Sequence, residues 1–94
     1  MVDVPVNHYK LIDYYDVWGN AEHGYEVNAA CTVEKDICIS ADVTDKEIID
    51  YLIDVIGYLA PEAREQVEIE SCDDSFLEIQ AIPTGYPLGR LEKI

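Results

Sequence analysis

Residues 44–60, TDKEIIDYLIDVIGYLA, most constrain what this chain can fold into. Thr44 is a good N-cap, and Glu47, three residues on, completes a capping box. Asp45 and Glu47 also favour the positive end of the helix dipole. Ile48, Leu52, Val55, Ile56 and Leu59 form an apolar stripe, widened by Ile49 and Ile53. Pro61 prevents simple continuation, so the reading is a helix that ends near Ala60. A helix with so broad an apolar face must pack on something, and the rest of the chain offers only strands.

Those strands are read from alternation and turn residues. HYKLIDYY (8–15) is rich in β-favouring residues and is apolar on both sides, so its inward face stays open. DVWGNAEHG (16–24) is turn chemistry, with Trp18 expected to cover one end of a sheet. Tyr25, Val27, Ala29, Cys31 and Val33 alternate with more polar residues as a second strand. Glu34-Lys35-Asp36 reads as a three-residue turn, and Ile37, Ile39 and Ala41 as the inward face of a third strand. That loop length pairs Val33 with Ile37 and Cys31 with Ile39, and turns Cys38 away from Cys31. After the helix, Val67, Ile69 and Ser71 and then Leu77, Ile79 and Ala81 form a second hairpin around a turn at 72–75. The tail IPTGYPLGRLEKI, with its prolines and glycines, reads as irregular, docked through Tyr86 or Leu88.

The fold class is therefore α+β: one mostly antiparallel five-stranded sheet with a single helix on one face, in the order β-β-β-α-β-β. Ninety-four residues make one domain, 1–94, with 1–7 and 83–94 as less regular termini. A hydrophobic content of 49% is enough for a modest core, so the high charge does not mean disorder.

Charge is the compositional outlier. Twenty Asp and Glu stand against six Lys and Arg, for a net charge of −14. The acids are dispersed, which is what solubility alone would give. Such a chain repels nucleic acid and anionic membranes, so neither is expected as a direct partner; it suits a basic protein. No stretch approaches a transmembrane length, and MVDVPVNHYK lacks a basic region followed by an apolar run. Cys31, Cys38 and Cys72 are then expected to be reduced thiols in a cytoplasm.

Catalytic signals are weak. Three cysteines and two histidines, His8 and His23, produce chance pairings easily, so no catalytic residue is assigned and the chain is read as a non-enzyme. No C-x-x-C or H-x-x-x-H spacing exists. Asp42-Val43-Thr44-Asp45 lacks the glycine and terminal glutamate of a calcium loop, and Asp73-Asp74 reads as a solvated turn. No metal or cofactor is assigned.

What remains is acidic surface. Glu68 and Glu70 stand about 6.6–6.8 Å apart on one strand face, with Glu78 on the neighbouring strand. Asp50 and Asp54 are one helical turn apart, roughly 6 Å, beside Glu47. Carboxylates so spaced can imitate phosphates to a basic groove. The candidate partner-binding residues are thus Glu47, Asp50, Asp54, Glu68, Glu70 and Glu78.

Residues 9–30, YKLIDYYDVWGNAEHGYEVNAA, with WGN, GYEVN and the later helix start D-x-T-D-K-E-I-I, resemble small acidic proteins of phages and mobile elements in Gram-positive bacteria. The resemblance covers most of the chain and carries no catalytic motif. It implies a bacterial cytoplasm and, among small acidic non-enzymes there, inhibitors of nucleic-acid-binding host systems. The function expected is an acidic binding protein that engages a basic protein surface, in its sharpest form a nucleic-acid mimic. Two alternatives stand beside it. One is a ligand-binding or enzymatic domain using the loop from Trp18 to Gly24 with Cys31, Cys72 or a histidine. The other is a homo-oligomeric structural protein pairing through a sheet edge or its tyrosines.

Overall fold

The fold comes from a computed structural model that describes residues 5–73 and 75–94, apart from the side chains of Cys72 and Asp73. Its elements are β1 (Val6–Asn20), β2 (Gly24–Ser40), α1 (Asp45–Asp54), a short 3-10 helix (Pro61–Glu65), β3 (Val67–Asp73), β4 (Phe76–Ala81) and β5 (Pro87–Lys93). They form one α+β unit, a five-stranded sheet in the order β2-β1-β5-β4-β3 with every neighbouring pair antiparallel. The chain crosses from one edge, β2, to the other, β3, by way of α1.

The strand count matches expectation for a different reason. The turn read at Glu34–Asp36 does not form, and the second and third expected strands are one continuous strand, β2. Val33 and Ile37 therefore do not pair with each other; both stretches pair with β1, as in Tyr9 with Ile37 and Asp13 with Cys31. The polar Glu34-Lys35-Asp36 run is absorbed by register shifts, where Tyr9 to Ile12 of β1 spans Ile37 to Thr32 of β2. Extra residues taken up this way bend and twist a strand without ending it. The fifth strand is the tail that the sequence marks as irregular. Pro87 is tolerated because it is the first residue of β5. At Gly89 an added Cβ would stand 2.5 Å from the Ile12 carbonyl oxygen and 2.7 Å from the Tyr58 hydroxyl, so the site accepts glycine alone.

WGN likewise lies in strand. β1 continues to Asn20, and Asn20 Oδ1 accepts from the amides of Glu22 (3.0 Å) and His23 (2.8 Å) to close the turn. Because β1 pairs with β5 only from Tyr9 to Asp13, the rest of the β1–β2 hairpin runs on as a two-stranded ribbon. Trp18, expected to cover the sheet, is 65% exposed on that ribbon. The ribbon is braced by Tyr25, whose ring meets Tyr86 edge-on at 5.2 Å. The expected lead-in at 1–7 contributes Val6 and Asn7 to β1, and residues 1–4 lie outside the described part, as does Asp74 of the turn at 72–75.

The helix starts where its capping box puts it. The Glu47 amide donates to Thr44 Oγ1 (3.2 Å), and the Thr44 amide donates to Glu47 Oε1 (3.3 Å). It ends earlier than the apolar stripe implies, at Asp54, because Gly57 takes φ +74° and turns the chain back. The amides of Tyr58 and Leu59 then both reach the Leu52 carbonyl, at 2.9 and 3.4 Å. Val55, placed in the core stripe by sequence, is instead 64% exposed. Ile48, Ile49, Leu52 and Ile53 do face the sheet, where they join Tyr9, Leu11, Ile37, Ile39, Val67, Ile69, Ile79 and Leu91 in one core.

Beyond the helix, Tyr58 serves as a pin. Its hydroxyl donates to Asp13 Oδ1 (2.5 Å) and lies 3.0 Å from the Leu88 carbonyl, over Gly89. Burial, reinforced by the hydrogen bond to the Asp13 carboxylate, pushes the Tyr58 hydroxyl far above the ordinary tyrosine range. The phenol is thus held neutral by the fold.

Leu91 and Leu52, both fully buried, give the direct tests of this core. Leu91→Ala should lower unfolding free energy by about 2–5 kcal/mol in urea titrations, and Leu52→Asp should leave no cooperative transition. Tyr58 sets a pH limit. Because its folded pKa is raised above the usual 10.0, its stabilising share is complete below pH 10 and is lost as pH rises beyond that. Urea midpoints should therefore fall more steeply above pH 10 in the natural protein than in Tyr58→Phe.

Candidate functional site

The six carboxylates singled out from the sequence fall into two groups on opposite sides of the sheet. Val67, Ile69 and Ile79 point to α1. The alternating residues Glu68, Glu70 and Glu78 therefore stand on the uncovered face. Glu47, Asp50 and Asp54 lie on α1 itself. One continuous row does not form.

The two groups differ in how their charge is used. Arg64, delivered by the 3-10 helix, reaches Asp50 at 2.8 Å through Nε and Asp54 at 3.2 Å through Nη2. Glu47 is engaged in the capping box. The helix group is thus largely committed to local structure. Beside it, a cleft between α1, the 3-10 helix and β3 mixes Lys46 and Arg64 with Asp45 and Glu65, and so presents no single sign of charge.

On the uncovered face, Glu70 is directly opposite Glu78 across the β3–β4 pair, and Glu68 is opposite Gln80. Among the described residues no ion pair reaches Glu68 or Glu70. Glu78 accepts from Tyr14 (3.3 Å) and Gln80 (2.8 Å). Arg90, on the far side of Glu78 in register, is drawn to Glu92 at 3.1 Å and lies over the rings of Tyr14 (5.7 Å) and Phe76 (5.8 Å). The same face therefore carries aromatic surface next to its acids. Burial, with the charge of Glu78 added, raises the Tyr14 hydroxyl above its ordinary range despite Arg90.

The loop from Trp18 to Gly24 carries His23 but is set apart from Cys31 and His8. Cys31 pairs with Asp13, while Trp18 pairs with Glu26. Five residues of strand put about 16 Å between those points. His8 lies farther still, at the start of β1. The side chain of Cys72 lies outside the described residues.

A constellation that sequence spacing does not reveal lies at the other end of the β1–β2 pair. His8 is directly opposite Cys38, and Asp36 stands two residues from Cys38 on the same face of β2. His8 Nδ1 is 3.1 Å from Asp36 Oδ1 and 3.3 Å from Cys38 Sγ, and Sγ is 4.0 Å from Asp36 Oδ1. Cys38 does turn away from Cys31, as the alternation of Ile37 and Ile39 requires, and both thiols are free and exposed. The only sequence signal was the D-x-C spacing, which means nothing until His8 is placed opposite.

No known protein family, curated protein or solved structure matches this chain. Among the described residues, no helix is long and apolar enough to cross a membrane.

The helix carboxylates yield a check on this division of labour. Asp54 is 63% exposed, so its ion pair with Arg64 is worth at most about 1 kcal/mol. Asp54→Asn should shift the urea midpoint little and leave the circular dichroism spectrum unchanged.

Proposed function

We propose that this protein is a non-enzymatic acidic binding module that engages a basic protein surface through the sheet face left uncovered by α1. The observation that carries the reading is the Glu70–Glu78 pair. Like charges directly opposite on neighbouring strands destabilise a sheet, yet here they are kept, with Glu68 beside them and, among the described residues, no cation paired to Glu68 or Glu70. A basic partner would relieve that repulsion on binding. Tyr14 and Phe76 supply apolar contact next to the charge, which gives the face a packed centre as well as electrostatic steering.

Of the six candidate carboxylates, Glu68, Glu70 and Glu78 carry the contact, and Glu47, Asp50 and Asp54 contribute mainly long-range field. In its sharper form the partner is a nucleic-acid-binding protein whose basic groove takes the three carboxylates in place of phosphates. The resemblance to small acidic phage proteins and a bacterial cytoplasm fits that form.

The test is affinity capture from a bacterial lysate, followed by binding measurements with the purified captured protein. Binding should weaken steeply between about 50 and 500 mM salt. Glu68→Lys/Glu70→Lys should abolish it while leaving the melting temperature unchanged or higher, and Asp50→Lys/Asp54→Lys should retain most of it. Competition by duplex DNA supports the mimic form, and lack of competition restricts the reading to a basic protein that is not bound at its nucleic-acid site. Binding that ignores salt, or survives the sheet-face reversal, contradicts the proposal.

A further inference from the structure

The side chains of His8, Asp36 and Cys38 form a closed triangle of polar contacts. The Asp36 carboxylate and the Cys38 sulfur both approach the same ring nitrogen, His8 Nδ1, at 3.1 and 3.3 Å. That nitrogen carries either a proton or a lone pair. With the proton it donates to Asp36, while the Cys38 thiol reaches the same carboxylate only at 4.0 Å. The arrangement is also wrong for a Cys-His-Asp catalytic triad, in which the carboxylate and the nucleophile occupy different nitrogens of the ring.

Three donor atoms of these types this close together are also what a metal ion requires. With zinc–ligand distances of about 2.0–2.3 Å, the edges of a tetrahedron are about 3.3–3.8 Å long. The observed separations of 3.1, 3.3 and 4.0 Å bracket that range, and the three ligand atoms all lie within 4.8 Å of one another. The scaffold is well held. His8 and Cys38 face each other on paired strands, their neighbours Tyr9, Ile37 and Ile39 are buried in the core on the other face, and the His8 carbonyl accepts from the Ile94 amide at 2.9 Å.

We propose that His8 Nδ1, Asp36 and the Cys38 thiolate form a three-ligand site for a borderline-soft divalent metal, Zn²⁺ above all, with the fourth position open to water or to a donor from a bound molecule. Thiolate and imidazole select such a metal over Mg²⁺ and Ca²⁺, which prefer oxygen. On binding, the Cys38 thiol gives up its proton to solvent and the sulfur bonds to the metal; no oxidation is involved. The surrounding charge of −14 favours the cation. Three protein ligands and one open position, all exposed at the β2 edge, make this a site that can be completed from outside.

Calorimetric titration of the reduced full chain with Zn²⁺ alone tests it, with Co²⁺ absorption as a second readout. The expected result is saturable one-to-one binding and a sulfur-to-cobalt charge-transfer band. Cys38→Ser should abolish the band and, like His8→Ala, weaken Zn²⁺ binding at least about tenfold. Cys31→Ser/Cys72→Ser should keep both the band and the affinity. His8 and Cys38 are exposed, so circular dichroism should show their variants folded. Absence of saturable binding overturns the site. So does binding that Cys38→Ser and His8→Ala leave intact, which would be diffuse attraction to the acidic surface, or a band lost in Cys31→Ser/Cys72→Ser.

Discussion

The sheet depends on β5 lying between β1 and β4. Without it the chain consists of two separate hairpins, β1–β2 and β3–β4, and two-stranded units are marginal on their own. The join is made by a cross-strand row in which Leu91 stands between Leu11 and Leu77, with Leu11 and Leu91 fully buried. α1 seals that row from one side. Tyr58, donating to Asp13 on β1 while its ring end sits over Gly89 of β5, clamps the same junction from beyond the helix. A strand contributed by the end of the chain therefore organises elements formed much earlier in it.

This architecture decides which charges are free to act. A single helix covers one face only, and its connection to β3 brings Arg64 against Asp50 and Asp54. The other face holds Glu68 and Glu70, with no ion pair among the described residues, near Tyr14, Phe76 and Arg90. At the β2 edge, the same alternation that buries Ile37 and Ile39 turns Cys38 and Asp36 outward to meet His8. Both proposals thus follow from the side-chain parity of strands whose other face is the core.

Some of this was legible in the sequence. The capping box at Thr44 and Glu47 fixed the helix start, and the alternation of Val67, Ile69 and Ile79 fixed the second hairpin, because local hydrogen bonds and period-two burial are written in adjacent residues. The helix end was misplaced because an apolar stripe continued past Gly57, whose positive φ, not Pro61, turns the chain. Glu34-Lys35-Asp36 looked like a turn because a bulged strand edge needs the same polar residues. β5 was hidden by Pro87 and Gly89, each acceptable for a tertiary reason: a strand start, and a close approach of Tyr58. Of the candidate site, the identities of the acids were readable and their division between two faces was conditional on the fold. The metal-ligand cluster was not readable, since His8 and Cys38 are 30 residues apart and meet only through the β1–β2 register.

The central claim is that recognition belongs to the uncovered sheet face. Amide chemical-shift mapping on isotope-labelled protein, titrated with an arginine-rich peptide, addresses it residue by residue. The account predicts that the first and largest shifts fall on β3 and β4 around Glu68, Glu70 and Glu78, with α1 nearly silent. Shifts centred on Glu47, Asp50 and Asp54, or spread evenly over all acidic positions, would contradict it.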